Sequence, residues 1–331
     1  MRLQKFMSLL LSCIMLCLSF QANCLSIYAE ALSAAEPTTD SDGTQAWNKS
    51  LGTDAYPQFS GKAVSYISEQ GEEVYSNTNI SCNNHSYVNG ICKTCGEYEV
   101  PTLENGAYQL ENYGELVWFQ QYVDAGNVNI NARLTSNIVA NENLLDSSGN
   151  VQGTPKYNWI PIGMVYSKES DSYNGVFDGA GYSISGLYAN GTGESWGFFS
   201  QVYKCTIKNL SIVDSYFGES SCYYVGSFVG NGSGNIENCY SNATIVGLYY
   251  CGGIVGQIKS TVSDCLYNGK ITVNKYSNAI ASDTYNYGTI TNCYYNENCG
   301  LSSSRATAVT DDQLSSGEVA YLLNSDQSAI K

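Results

Sequence analysis

The segment Gly226-Ser227-Phe228-Val229-Gly230, followed by Asn235-Ile236-Glu237-Asn238-Cys239, decides the fold because the chain repeats both blocks. The second block returns as Thr206-Ile207-Lys208-Asn209-Leu210, Thr261-Val262-Ser263-Asp264-Cys265 and Thr289-Ile290-Thr291-Asn292-Cys293. Its Asn or Asp therefore recurs in steps of 29, 26 and 28 residues. A fixed period with short β-branched runs between glycines is typical of stacked repeats, in which each unit buries its inward face on its neighbours.

The length of the repeat selects one repeat architecture. It is too short for a four-stranded propeller blade, it contains no helical pattern, and it lacks the leucine ladder of leucine-rich repeats. A coil of two or three short strands per turn uses roughly 20 to 30 residues. The sequence therefore predicts an all-β protein, a right-handed parallel β-helix with short helical caps at both ends.

Stacking of the repeats predicts three columns of side chains along the coil. One inward column consists of Ile207, Ile236, Val262 and Ile290. A second inward column consists of Leu210, Cys239, Cys265 and Cys293. We expect a third column to lie at turns and to ladder its polar side chains along the axis; it consists of Asn209, Asn238, Asp264 and Asn292.

Longer stretches of the chain resemble a known family. Trp159–Gly163, Phe177–Leu187 and the Gly-hydrophobic-Val-Gly blocks, each followed by Asn-Cys-Tyr, resemble the GLUG-repeat β-helix. That repeat occurs in bacterial surface proteins, including the non-catalytic part of immunoglobulin-A1 metalloproteases. Leu110–Ile138 is similar to the helix and strand that precede the repeats, and Gln313–Asn324 is similar to the closing segment. The resemblance implies a β-helix fold and names no chemistry.

The N-terminus predicts export. Arg2 and Lys5 precede the apolar run Phe6–Phe20, which small residues follow, as in a secretory signal peptide over residues 1–31. No other apolar stretch is long enough to span a membrane. We expect an extracellular or cell-surface protein, with the mode of anchoring left open.

The charge balance restricts the partners. The net charge is −15, and without residues 1–31 it is −16. Nucleic acids and anionic membranes bind clustered Lys and Arg, so the negative net charge argues against both as partners. Only 14% of residues are charged, and the chain has 28 Tyr against 9 Phe, which suits an extracellular β-protein. The sequence does not indicate an oligomeric state.

One cysteine and histidine motif predicts a metal site. Cys82, His85, Cys92 and Cys95 have the spacing of a small zinc knuckle, and His85 is the only histidine in the chain. Three thiolates and one imidazole form a closed tetrahedral shell for Zn²⁺, which would be structural because no position stays open for catalysis. The alternative is a Cys92–Cys95 or Cys82–Cys92 disulfide, which secretion favours.

Seven further cysteines fall in the coil: Cys205, Cys222, Cys239, Cys251, Cys265, Cys293 and Cys299. Those that recur with the repeat would have parallel Cβ vectors on neighbouring rungs, which strains a bridge. We expect small buried thiols at these positions. Cys293 and Cys299 could pair across the last turn.

Two tyrosine doublets stand in register and predict a surface. Tyr223-Tyr224 and Tyr249-Tyr250 both precede a Gly block and lie 26 residues apart. Because strand side chains alternate, one ring of each doublet must point outward, which stacks exposed rings on successive rungs. Such a platform suits a glycan or a host or matrix protein. Tyr294-Tyr295 could extend it, and the alternative is that the rings only shield the coil edge.

The sequence lacks the elements of the common hydrolases. A metalloprotease needs His-Glu-x-x-His, and a catalytic triad would need the histidine that the knuckle uses. Asp178 is the nearest candidate for a polysaccharide-active site, but Asp before Gly179 also closes a turn. We therefore expect a non-catalytic adhesion or ligand-binding scaffold. The alternatives are a polysaccharide-active β-helix enzyme and a structural spacer from a larger exported protein.

The predicted organisation has six segments. They are the signal peptide (1–31), a linker-like lead (32–80), the Cys/His knuckle (81–100), a cap with a helix over Glu115–Ala125 (101–135), the β-helix repeats (136–300) and a C-terminal cap (301–331). In the last segment we expect one short helix over Gln313–Asn324, capped by Ser315 or Ser316.

Overall fold

A computed structural model describes residues 85–163, 172–191, 193–259, 261–282 and 288–324, together with the backbone of five short strands before them. The chain forms two compact units, residues 1–85 with 94–96 and residues 86–93 with 97–331. The predicted signal peptide and Cys82 lie outside the described residues.

In the first unit the described backbone consists of short antiparallel strands. They are β1 (Trp47–Asn48), β2 (Gln58–Phe59), β3 (Lys62–Ala63), β4 (Tyr66–Glu69) and β5 (Glu72–Tyr75). Strands β1, β2 and β3 form one sheet, and β4 pairs with β5. All five lie in the segment 32–80 that the sequence predicts to be a linker-like lead.

The second unit begins with two short antiparallel pairs and continues as a series of parallel strands. The antiparallel pairs are β6 (Tyr87–Val88) with β7 (Ile91–Cys92) and β8 (Thr102–Glu104) with β9 (Ala107–Leu110). The later strands are β10 (Asn131–Leu134), β11 (Ile138–Val139), β12 (Val176–Asp178), β13 (Ser183–Ser185), β14 (Tyr188–Ala189), β15 (Ser195–Trp196), β16 (Phe199–Lys208), β17 (Ser211–Val213), β18 (Tyr216–Phe217), β19 (Tyr224–Val225), β20 (Val229–Glu237), β21 (Tyr240–Ser241), β22 (Thr244–Tyr249), β23 (Val255–Ile258), β24 (Thr261–Ser263), β25 (Leu266–Tyr267), β26 (Lys270–Lys275), β27 (Thr289–Thr291), β28 (Tyr294–Asn296) and β29 (Thr307–Val309). The helices are α1 (Tyr113–Asp124), α2 (Asp311–Ser315) and α3 (Glu318–Asn324).

These strands stack into the sheets of a parallel β-helix, as the sequence predicts. The first sheet has nine strands: its parallel part has the order β9-β10-β12-β16-β20-β24-β27, β8 pairs antiparallel with β9 at one edge, and β23 pairs with β20. The second sheet has the order β11-β13-β17-β21-β25-β28-β29 and the third β14-β18-β22-β26. Each strand pairs in parallel with the equivalent strand one turn later. The parallel pairing extends on both sides of residues 136–300, from β9 to β29.

The predicted inward columns are confirmed, with one difference at the last rung. Ile207, Ile236 and Val262 pair in register and are fully buried. Ile290 continues the column but is only half-buried, because β27 is the end strand of its sheet. The second column is buried along its whole length: Leu210, Cys239, Cys265 and Cys293.

The polar column at the turns forms the predicted ladder, and we call it the turn ladder. The amide of Asn238 donates to Asn209 Oδ1 at 2.8 Å, and the amide of Asn292 donates to Asp264 Oδ1 at 2.7 Å. All four members have a left-handed backbone, with φ between 49° and 55°. Asn and Asp tolerate this conformation better than other residues with a Cβ, which explains why the repeat places only these two types here.

The helical caps differ from the prediction in their bounds. Helix α1 begins two residues earlier than expected, because Asn112 caps it by accepting from the Glu115 N–H. The single helix expected over Gln313–Asn324 is wrong: α2 and α3 are separated by Gly317, whose φ is 82°. Thr310 caps α2 in a capping box with Gln313, so the predicted cap at Ser315 is wrong. Ser316 Oγ accepts from the Glu318 N–H where α3 begins.

Cys239, Cys265 and Cys293 are buried thiols, as expected from their register, and the other four coil cysteines are buried as well. Within the described part of the chain all seven are unbridged, so the Cys293–Cys299 pair does not form. The Cys293 thiol donates to Thr291 O, and the Cys299 thiol donates to Leu301 O. Burial raises the pKa of the Cys205 and Cys251 thiols to about 12, so neither is a ready nucleophile.

Candidate functional site

The two tyrosine doublets come together on the coil and gain a fifth member. Tyr224 and Tyr250 stack with ring centroids 5.3 Å apart and an interplanar angle of 17°. Tyr250 stacks in turn on Tyr276 at 5.7 Å and 20°. Tyr223 lies 5.5 Å from Tyr249, which lies 6.0 Å from Tyr276. These five residues, over three successive rungs, are called the tyrosine cluster below.

Both rings of each doublet reach the surface, whereas strand alternation predicts one. Tyr250 has a left-handed backbone with φ of 55°, so the chain leaves the extended conformation immediately after β22. Tyr276 has the same φ of 55° immediately after β26. A bulky residue at positive φ is uncommon, and such strained positions concentrate at functional sites. Tyr250 and Tyr276 are the two cluster members with this backbone, and their rings stack on one another.

Exposure of the rings varies across the tyrosine cluster. Tyr276 is 62% exposed and Tyr223 is 43% exposed, while the other three are half-buried. Tyr276 follows Lys275 and is not part of a doublet, so the doublet pattern does not predict it; its position 26 residues after Tyr250 is the signal in the sequence. The proposed extension through Tyr294-Tyr295 is wrong, because Tyr295 is buried and the Tyr294 hydroxyl donates to Asn292 of the turn ladder.

The candidate metal ligands lie in and around a short hairpin. Strands β6 and β7 turn through Asn89 and Gly90, whose positive φ values of 49° and 73° fit the predicted tight turn. The Asn89 carbonyl and side chain accept from the Gly114 and Tyr113 N–H groups at the start of α1. The hairpin therefore caps the N-terminus of α1.

Three of the four predicted ligands are close enough to share a metal ion. One donor atom from each of His85, Cys92 and Cys95 lies within 4.8 Å of the others, and Cys95 Sγ is 3.4 Å from His85 Nδ1. Ligands of a tetrahedral zinc ion would lie within roughly 4 Å of one another, so this His/Cys group could hold a metal ion after a small contraction. The fourth ligand, Cys82, is not described.

Asp178 has structural partners that the sequence did not predict. Its carboxylate is 2.7 Å from the Arg133 guanidinium, accepts from the Asn209 amide at 3.0 Å, and closes the expected turn by accepting from the Ala180 N–H at 2.9 Å. Partial burial acts to raise the pKa of Asp178, but these hydrogen bonds and the Arg133 charge outweigh it and hold the pKa below its usual value. A carboxyl group in this state cannot serve as a general acid at neutral pH.

Comparison with known proteins supports the family resemblance of the repeat. The model of the GLUG motif matches residues 221–246, which contain Tyr223, Tyr224 and one member of the turn ladder. The comparison with curated proteins gave no match. A crystal structure of a Bacteroides ovatus protein assigned as an immunoglobulin A1 protease matches 70% of this chain and 92% of its own, with 15% identity and a TM-score of 0.35.

Among the described residues, none of the helices has the length and apolar character that a membrane crossing requires.

Proposed function

We propose that this chain is an exported, non-catalytic repeat protein whose β-helix presents the tyrosine cluster to a ligand. The observation that carries the proposal is the continuous stack Tyr224–Tyr250–Tyr276, with centroids 5.3 and 5.7 Å apart. Two of its members, Tyr250 and Tyr276, also have the left-handed backbone that is uncommon for a bulky residue and that concentrates at functional sites.

The cluster suits two kinds of ligand. Tyrosine combines an apolar ring, which packs on the flat face of a sugar or on an apolar side chain, with a hydroxyl that hydrogen-bonds. Because tyrosine has only two side-chain torsions, it loses little conformational entropy on binding, which is why it is common in protein-binding surfaces. The ligand is therefore a glycan or a protein of the host surface or matrix.

Binding by the cluster is tested on the full chain with glycan and matrix-protein arrays. The double variant Tyr224→Ala/Tyr250→Ala and the single variant Tyr276→Ala should each weaken a detected interaction at least tenfold, because they interrupt the stack. Tyr321→Ala is the matched control, since Tyr321 is 72% exposed and lies on α3. Melting temperatures should stay equal across the set. Absence of binding to both arrays would favour the spacer function instead.

Lack of enzymatic activity is part of the proposal. Asp178 is held as a carboxylate by Arg133, Asn209 and Ala180, an arrangement that stabilises a turn and prevents proton donation. A reproducible turnover of polysaccharide that Asp178→Ala abolishes would favour a polysaccharide-active enzyme over a non-catalytic scaffold.

We also infer that the His/Cys group holds a structural zinc ion, with Cys82 completing a shell of one imidazole and three thiolates around it. The support is the proximity of donor atoms from His85, Cys92 and Cys95. Gly96, with φ of 73°, provides the turn that the backbone needs directly after Cys95. A zinc ion would stabilise a hairpin that has no core of its own.

Metal analysis of protein purified under reducing conditions tests this inference. We expect one zinc ion per chain, reduced binding in His85→Ala, and full binding in Cys299→Ser, which removes a buried thiol elsewhere. Zinc-free protein in which mass spectrometry finds Cys82, Cys92 and Cys95 oxidised would establish the disulfide alternative.

A further inference from the structure

A second candidate site is a groove at a corner of the coil, on the N-terminal side of the third sheet. Its volume is about 450 Å³, within the roughly 300–1,000 Å³ of small-molecule sites. One wall is the turn Leu145–Gly149. The floor is a polar column of residues in steps of 28, 26 and 28, which we call the corner column: Asp214, Asn242, Asn268 and Asn296.

The turn that forms the wall is held on three successive rungs. The Leu144 and Leu145 N–H groups donate to the Asp214 carboxylate, both at 2.8 Å. One rung later the Thr244 hydroxyl donates to Gly149 O at 2.7 Å, and on the next rung Lys270 Nζ donates to Ser148 O at 2.5 Å. The wall is therefore fixed before any ligand arrives, which lowers the entropic cost of binding.

The lining chemistry selects a neutral ligand with many hydroxyl groups. Asp146 and Asp214 outnumber the single ammonium of Lys270, so an anionic ligand would be repelled. Both carboxylates already accept backbone N–H groups. The remaining lining side chains are mostly amides and hydroxyls, which donate and accept as sugar hydroxyls do.

The spacing of the column selects an extended chain. Neighbouring rungs lie about 4.8 Å apart, so four members of the corner column cover roughly 14 Å. The rings of an extended β-1,4-linked glycan repeat at a similar spacing, so successive rings would meet Asn242, Asn268 and Asn296, the last two of which also bond to each other. The adjacent outward column continues in register as Tyr188, Tyr216, Thr244 and Lys270. Its two tyrosine rings, 5.8 Å apart, add an aromatic surface on the preceding rungs.

We propose that this groove binds a neutral, extended oligosaccharide whose axis follows the corner column. The site is separate from the tyrosine cluster: β22 begins at Thr244 in the groove and ends at Tyr249 in the cluster, and β26 runs likewise from Lys270 to the residue before Tyr276. Binding here would not require the tyrosine cluster to bind anything.

Titration calorimetry of the full chain with cellotetraose tests the proposal. Asn298→Trp fills the groove from an exposed position and should weaken binding at least tenfold. Asn242→Ala removes one amide and should weaken it by roughly five- to tenfold, the value of one hydrogen bond. Tyr321→Ala is the control and should bind like the parent, since Tyr321 is exposed on α3 and does not line the groove. Tetragalacturonate, an anionic tetrasaccharide, should bind more weakly than cellotetraose.

Three outcomes would overturn the proposal. The first is no saturable binding of cellotetraose at millimolar concentration. The second is unchanged binding in both Asn298→Trp and Asn242→Ala, with circular dichroism showing that each variant is folded. The third is loss of binding in Tyr276→Ala alone, which would place the sugar on the tyrosine cluster and support the proposed function while removing this one.

Discussion

The turn ladder and the corner column are two polar columns on the same coil, and they use similar residues for different ends. In the turn ladder the side chains bond mainly to each other, as Asn238 does to Asn209, and every member has a left-handed backbone. In the corner column only Asp214 has positive φ, and its carboxylate accepts from the turn at residues 144–149. Asn296 donates both to Asn268 within the column and to Asp311 at the start of α2.

The difference shows how a repeat column becomes available for binding. Side chains that satisfy one another along the axis have little hydrogen-bonding capacity left and mainly stabilise the turns. The corner column also has an internal side-chain bond, between Asn296 and Asn268, but the fixed turn beside it bounds a groove through which a ligand can reach the column. Identical chemistry is therefore structural in one column and a candidate binding surface in the other.

The largest effect is expected from a substitution in the buried core that supports both columns. Ile236 is fully buried in the middle of the coil, so Ile236→Asp places an unpaired charge there and should cost more than about 4 kcal/mol. Circular dichroism should show loss of the β-signal. Ile236→Val is the matched control and should cost only about 1 kcal/mol. A folded Ile236→Asp variant of parental stability would contradict the coil architecture.

The next prediction separates the two columns directly. Asn238→Ala loses a hydrogen bond and leaves Ala at positive φ, so it should cost about 2 kcal/mol in urea unfolding. Asn242→Ala loses the acceptor of the Asp214 N–H without that backbone penalty and should cost about 1 kcal/mol.

Asn238→Gly isolates the contribution of the left-handed backbone to stability. Because glycine adopts that conformation readily, this variant should lose less unfolding free energy than Asn238→Ala. Equal destabilisation by Asn238→Ala and Asn242→Ala would mean that the left-handed backbone is not what distinguishes the turn ladder.

A smaller effect of opposite sign is expected where the turn ladder is interrupted. Asn209 and Asn238 are joined, and so are Asp264 and Asn292, but no hydrogen bond joins Asn238 to Asp264 within this part of the structure. A carboxylate has no proton to donate to the Asn238 carbonyl oxygen. Asp264→Asn supplies that donor and should raise stability by about 0.5–1 kcal/mol. A lower melting temperature for Asp264→Asn than for the parent would refute this account.

The smallest effect is a pH dependence at the beginning of the turn ladder. The lowered pKa of Asp178 means that the folded state binds its proton less readily than the unfolded chain does. Its contribution to stability is present above the usual aspartate pKa and is lost as the pH falls through the lowered value. Asp178→Asn should therefore flatten the fall in melting temperature below about pH 4. If the melting temperature of Asp178→Asn fell with pH as steeply as that of the parent, the lowered pKa of Asp178 would not contribute to acid stability.

Much of the fold could be predicted because the same pattern of residues recurs in each repeat. The isoleucine column, the cysteine column and the turn ladder follow from the period alone, and three of the four members of the isoleucine column are fully buried. Half-burial of Ile290 could not be predicted, since it depends on β27 being the last strand of its sheet. The two C-terminal helices were missed because Gly317 interrupts a pattern that otherwise suggests one helix.

The candidate sites were less accessible to sequence reasoning. The doublets at Tyr223 and Tyr249 were visible as a pattern, whereas Tyr276 stands alone and joins them only through its rung position and left-handed backbone. The groove could not be recognised in the sequence pattern, because Asp214 and the turn that it holds are about 70 residues apart in the chain.

The sequence by itself determined the period, the residues that face inward and the types that occupy each turn, because these depend on alternation and stacking between neighbours. Only the tertiary structure decided which polar column is covered and which tyrosines share a face. Those features depend on where a single non-repeating segment, such as the turn Leu145–Gly149, crosses several rungs, and no periodic pattern encodes that crossing.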